Sequence, residues 1–269
     1  MSNPVFSNSA VFGQPRQGRA GVQQRAPYAG SAATPAAGTL EQMYGAPTAT
    51  PRDTGRLTYD DVIMKTAGLF AILLVTGGLT WVLAPELFFV GMIVGLGLGL
   101  VNAFKKQPSP PLIMAYAAAQ GVFLGGLTHL FEGMWPGIAM QAVLATVATF
   151  AACLVLFRSG KVRVTPKFQR WLMISVGGYL VFSLVNLVLV WTGTMGGWGL
   201  REGPFGIIIG LVAVGLASAV LIMDFDSIKR GVEQGAPAKM AWSAAFGLMV
   251  TLVWLYVEFL RIFAILRGD

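Results

Sequence analysis

Four ionisable residues lie within or at the end of long apolar stretches of this 269-residue chain: Asp224, Asp226, Glu258 and Arg261. An ionised side chain is costly in a low-dielectric surround, so such residues are candidates for holding a proton or a cation. Asp226 has Lys229 and Arg230 three and four positions on, the spacing of a local ion pair on one helix face. Asp224 has Ser227 and Ile228 at the same offsets, so it has no basic partner on its own face. Glu258 has Arg261 three positions on. That pair reads either as a neutralised crossing, since Arg favours carboxylates when desolvated, or as a carboxylate facing the bundle interior. Asn102 is a weaker polar member of this set, and Gln120 and Asn186 are expected to bond between helices. His129 and Glu132 read as a polar cap rather than a metal site, because two ligands do not make one. Cys153, in TFAACLVLF, reads as a small buried residue with no base nearby to activate it. No firm metal site and no cofactor is expected.

The elements around these residues are read from composition. Only 12% of the residues are charged and 55% are hydrophobic. Soluble domains carry about 25% charged residues. The chain therefore lacks the polar surface of a soluble enzyme. It holds no HExxH, no GxSxG, no phosphate loop and no GxGD, so enzyme activity is not expected. Residues 1–56 are Ala, Gly, Pro, Ser and Gln with scattered Arg, without a sustained apolar period. They read as a disordered cytosolic tail, or as one that docks a partner. The segment Leu57–Lys65 reads as an amphipathic lead-in at the membrane surface.

Residues 57–269 read as one transmembrane domain of seven apolar segments: Thr66–Leu83, Leu87–Phe104, Leu112–Phe131, Gly137–Phe157, Trp171–Trp191, Phe205–Asp226 and Ala241–Arg267. Each is close to the ~20 residues that cross a bilayer, and backbone groups in lipid must pair internally, so all seven are expected to be helices. The expected fold class is an all-α seven-helix membrane bundle.

The connections alternate in charge. Arg52, Arg56 and Lys65 precede the first segment, Lys105 and Lys106 follow the second, and Arg158, Lys161, Arg163, Lys167 and Arg170 follow the fourth. Lys229, Arg230 and Lys239 follow the sixth. The intervening connections carry only Arg201, beside Glu202. The positive-inside rule then puts the N-terminus in the cytosol and the C-terminus outside. This assignment absorbs most of the net charge of +7, so no nucleic-acid partner is expected. Gly91, Gly95 and Gly99 recur every fourth residue, as do Gly206 and Gly210. Such faces serve either a dimer interface or, as favoured here, packing within the bundle.

The last two segments resemble the Bax inhibitor-1/YccA family, also called the transmembrane Bax inhibitor motif family. Its sixth helix typically ends in aromatic-Asp-x-x-x-Ile-Lys, and MDFDSIKR at 223–230 is similar, with Met223 at the aromatic position and the acid at Asp224. Its seventh helix typically reads Leu-Tyr-Leu-Asp-Phe-Ile-Asn-Leu-Phe and then Leu-Leu-Arg. LYVEFLRIFAILR at 255–267 matches this with Glu258 for Asp and Arg261 for Asn. The resemblance implies a pH-sensitive calcium or other cation leak, with Asp224 and Glu258 as gate and calcium ligands and Asp226 secondary. Some bacterial relatives instead restrain a membrane protease, which implies a non-conducting regulator as the alternative. Eukaryotic relatives sit in internal membranes, but the tail's composition leans towards a bacterial plasma membrane. The segment GVEQGAPAKMAW at 231–242 lengthens the connection between the two acids. Asp224 is expected ~28 Å along the sixth helix and Glu258 ~25 Å along the seventh, which runs back. The two acids would then meet only if the seventh helix began near Pro237.

Overall fold

The computed structural model describes residues 55–162 and 164–268. The tail expected over 1–56 lies outside the described residues, save for Gly55 and Arg56. Seven helices are long and apolar enough to cross a membrane, and no strand forms among the described residues. They are α1 (Tyr59–Leu83), α2 (Phe88–Phe104), α3 (Pro110–Met134), α4 (Ile138–Arg158), α5 (Pro166–Trp191), α6 (Gly203–Glu233) and α7 (Met240–Gly268). Short 3-10 turns, Pro85–Leu87 and Gly199–Arg201, precede α2 and α6.

The seven expected segments correspond one to one with these helices. The differences lie at the ends and have local causes. The Leu57–Lys65 lead-in is not a separate element: from Tyr59 it forms the first turns of α1. Thr58 caps this start by accepting from the Asp61 backbone N–H at 3.1 Å, and Asp60 and Asp61 suit the positive end of the helix dipole. α5 starts at Pro166, where Thr165 accepts from the Phe168 N–H at 3.2 Å. α6 continues to Glu233, with Asp226–Arg230 at 3.0 Å and Lys229–Glu233 at 3.8 Å along its last turns.

α7 is the hub. It packs against α1, α3, α4, α6 and, through its middle, the core around Leu255 and Leu260. α3 is buried between α1, α2 and α7, whereas α5 lies at the rim and touches mainly α6 and the turn before it. The first chain segment and the α6–α7 connection are joined by backbone. Leu57 N–H donates to Ala236 C=O at 2.7 Å, and Ala238 N–H donates to Gly55 C=O at 2.8 Å.

Close approach at two crossings requires glycine. A side chain on Gly91 of α2 would stand 2.5 Å from the Phe123 backbone nitrogen of α3. A side chain on Gly125 of α3 would stand 2.9 Å from Gly77 Cα of α1. Gly99 faces Tyr116, and Gly210 faces Ile262 and Arg261 of α7. The small-residue faces at Gly91–Gly99 and Gly206–Gly210 therefore serve packing inside the bundle.

Gly125→Val is expected to force α1 and α3 apart and cost about 2 kcal/mol, the scale of overpacking. Gly68→Ala, where an added side chain meets nothing within 4 Å, is expected to be neutral. Unfolding of both variants in detergent, followed by circular dichroism, checks the contrast.

Candidate functional site

The bundle buries its ionisable groups in two places. The first lies where α5, α6 and α7 meet. Glu258 is 3% exposed and Arg261 is 4% exposed, both deep in α7. Their i,i+3 spacing lets the Arg261 guanidinium pair directly with the Glu258 carboxylate. Three other groups converge on the same carboxylate. Tyr179 of α5 donates its hydroxyl to Glu258, Trp254 Nε1 donates to it at 3.3 Å, and Arg201 Nη1 stands 3.9 Å away. An isolated ionised carboxylate at this depth would be prohibitive, and this shell of donors offsets its desolvation.

Arg201 comes from outside the helices, and its position is built by Asn186. The Asn186 side chain accepts from the Leu200 N–H at 2.7 Å and donates to the Trp198 C=O at 3.2 Å. This fastens the Gly199–Arg201 turn over the end of α5. Asn186 was expected to join two helices; it holds a connection instead. From that turn Arg201 reaches inward, donates to the Ser183 hydroxyl, and lies 5.1 Å from the Tyr179 ring centroid and 5.4 Å from that of Phe182. Burial lowers its pKa from the ordinary arginine value, and the Arg261 charge adds to this against the pull of Tyr179 and Glu258. Glu202 turns away and accepts from the Trp198 N–H at 2.8 Å.

The second place is between α6 and α7, nearer the α6–α7 connection. Asp224 accepts a hydrogen bond from the Thr251 hydroxyl at 3.0 Å. Among the described residues, no cation pairs with it. Thr251 precedes Glu258 by seven residues, so the two carboxylates stand on levels about 10 Å apart along α7. α7 begins at Met240, only three residues after Pro237, yet the acids do not meet, because the α6–α7 register sets Asp224 against Thr251. Asp224 and Glu258 form two separate sites. Asp226 belongs to neither, being tied to Arg230.

The remaining polar candidates have structural partners. Glu132 accepts from the Gly137 and Ala139 N–H groups at 2.5 and 3.0 Å and so closes the α3–α4 connection. His129 stacks edge-on against Trp81 with ring centroids 5.8 Å apart. Asn102 donates to the Leu98 and Leu112 carbonyls, and Cys153 is buried 3.7 Å from the Ser218 carbonyl. Gln120 lies against Gly95 of α2. Among the described residues, no group of three or more His, Cys, Asp or Glu side chains is placed to hold a metal ion.

A family model described as Bax inhibitor 1 like matches residues 3–268. The chain belongs to this family. No curated protein matches it. The match covers the first six helices as well as the two motif stretches that carried the resemblance. Within this Bax inhibitor 1 like chain, Arg201, Tyr179, Trp254 and Thr251 are the site residues that the sequence reading passed over. Arg201 carried a usable signal, as the only base in the three connections where the charge pattern has no others. Tyr179, Trp254 and Thr251 carried none, since aromatics and threonine are common in membrane helices.

The two acids should differ in what their neutralisation costs. Glu258→Gln leaves Arg201 and Arg261 facing each other without a counter-charge, and a loss of about 3 kcal/mol is expected. Asp224→Asn keeps the shape and an acceptor for Thr251, and a change below about 1 kcal/mol is expected. Denaturant unfolding of the two variants in the same detergent measures the difference.

Proposed function

We propose that this Bax inhibitor 1 like membrane protein is a pH-sensitive cation leak, without catalysis or a bound cofactor. The observation that carries the reading is Asp224: a carboxylate inside the bundle, met by a hydroxyl and, among the described residues, by no cation. Such a group offers the same oxygens to a proton or to a cation. Protonated, it has no charge with which to attract a cation. Ionised, it supplies an oxygen-lined site beside the Thr251 hydroxyl. Flux is therefore expected to rise with pH.

Glu258 takes a different part in this reading from that of a second calcium ligand. Arg261 and Arg201 already balance it, so it acts as a latch that clamps α5 to α7 through Tyr179. Opening the pathway means loosening that clamp. Asp226 remains secondary, because Arg230 already holds it. The proposed orientation has the N-terminus in the cytosol, as the alternating basic connections favour, and the proposed location is a bacterial plasma membrane. Calcium is the proposed cation.

The test is calcium entry into liposomes containing the purified protein, at pH 6 and pH 8. Flux is expected to be several-fold larger at pH 8, and Asp224→Asn is expected to abolish the pH dependence. If Asp224→Asn titrates as the parent does, the gate assignment is wrong. If no flux exceeds that of empty liposomes at either pH, the leak is wrong and the regulator of another membrane protein takes its place. Cysteines introduced one at a time at Lys106 and Thr194, in a Cys153→Ala background, test the orientation. A membrane-impermeant thiol reagent added outside intact cells should label the second and not the first.

A further inference from the structure

A groove of about 640 Å³ runs between α5 and α6, within the size range of sites that take one small ligand. Trp171, Gly178, Tyr179 and Phe182 line it from α5, and Val212 and Gly215 from α6. It is open along one side. Side chains added at Gly178 or Gly215 would meet nothing within 4 Å, so these glycines do not serve a helix crossing. They leave space. From Trp171 to Phe182 the groove follows about 16 Å of α5.

Arg201 does not itself line this groove, but its charge adjoins two of the rings that do. The Arg201 guanidinium lies against the rings of Tyr179 and Phe182, both of which line the groove. Arg201 and Arg261 together face one carboxylate, Glu258, which leaves one positive charge over. Arg201 is also the less firmly held of the two. Its Nη1 is 3.9 Å from Glu258, whereas Arg261 pairs with that carboxylate directly, and its side chain keeps 15% of its surface open; its Nε, like that of Arg261, has no acceptor. Glu202 is engaged with Trp198 and does not balance it. A partly buried guanidinium with unused donors is a strong recognition element for a carboxylate.

We infer that the α5–α6 groove binds a long-chain fatty-acid carboxylate, its chain lying between the two helices and its head on Arg201. The single chain follows from the groove, which is apolar save for Ser175 and walled by two helices. The carboxylate follows from depth. Tyr179 lies about 20 Å along α5 from Pro166, near the middle of that helix, so Arg201 acts below the level of lipid headgroups. A carboxylate on one chain reaches that level, whereas a phosphodiester brings glycerol and a second chain with it. The inference stands independently of the leak, since no part of it requires ion flux.

The test uses the full chain in phosphatidylcholine nanodiscs at alkaline pH, with dibromostearate and its methyl ester as quenchers of tryptophan emission. The acid is expected to quench the Trp171 component at a mole fraction about tenfold below that of the ester. Trp171→Phe is expected to remove that component. Arg201→Gln is expected to bring the acid to the level of the ester while leaving quenching by the ester unchanged, and Arg201→Lys to keep part of the preference. Gly215→Phe, which fills the groove, should abolish the preference and guards against an unfolded Arg201 variant. Equal quenching by acid and ester in the parent overturns the inference. So does a preference that survives both Arg201→Gln and Gly215→Phe. Tighter quenching of Trp171 by dibrominated phosphatidylglycerol than by the acid also overturns it, in favour of a phospholipid headgroup.

Discussion

A carboxylate cannot stay ionised inside a helix bundle unless donors are brought to it, and Glu258 sets that requirement for this protein. Arg261 comes from the same helix by spacing alone. Tyr179 and Arg201 come from elsewhere, and their arrival fixes the position of α5, which has little else to hold it. The Asn186 clasp on the Gly199–Arg201 turn follows from the same need, because a long flexible side chain must be aimed before it can serve as a counter-charge. The rim helix is thus attached through polar contacts, while α1, α3 and α7 are joined by close apolar packing. The bundle has a firm half and a half secured by charge.

The two acids that the sequence pattern groups together stand at separate places in the bundle. Antiparallel packing puts Gly210 of α6 opposite Arg261 and Ile262, and Asp224 opposite Gly247 and Thr251. In that register Glu258 and Asp224 cannot be level. The long connection at 231–242 does not change this, because part of it continues α6 to Glu233 and α7 restarts only at Met240. One acid, Glu258, is buried against Arg261, Arg201 and Tyr179. The other accepts a hydrogen bond from the Thr251 hydroxyl and, among the described residues, meets no cation.

The seven helices were legible because each is a run of apolar residues of bilayer length, bounded by Pro, Gly or charge. Their ends were less so. Thr58 and Thr165 begin helices outside the apolar window, and caps act on backbone N–H groups that hydropathy does not register. Asp224, Glu258 and Arg261 were legible as charges in the wrong solvent. The grouping of Glu258 with Arg201 was not, because it depends on a turn that bends a loop residue back into the bundle. The glycine faces were read correctly as internal, but which helix each one meets is a matter of three-dimensional order. That order has no trace in a period of four.

The order of synthesis acquires a meaning from the position of α7. It is the axis against which α1, α3, α4 and α6 pack, yet it follows all of them along the chain. α1, α2 and α3 can pack on one another first, but α4 and α6 gain their main partner only when Met240–Gly268 arrives. Leu57 and Ala236 then meet across nearly the whole length of the domain, joining its first turn to its last connection. A chain interrupted before α7 would leave the face of α6 that carries Asp224 open to the membrane.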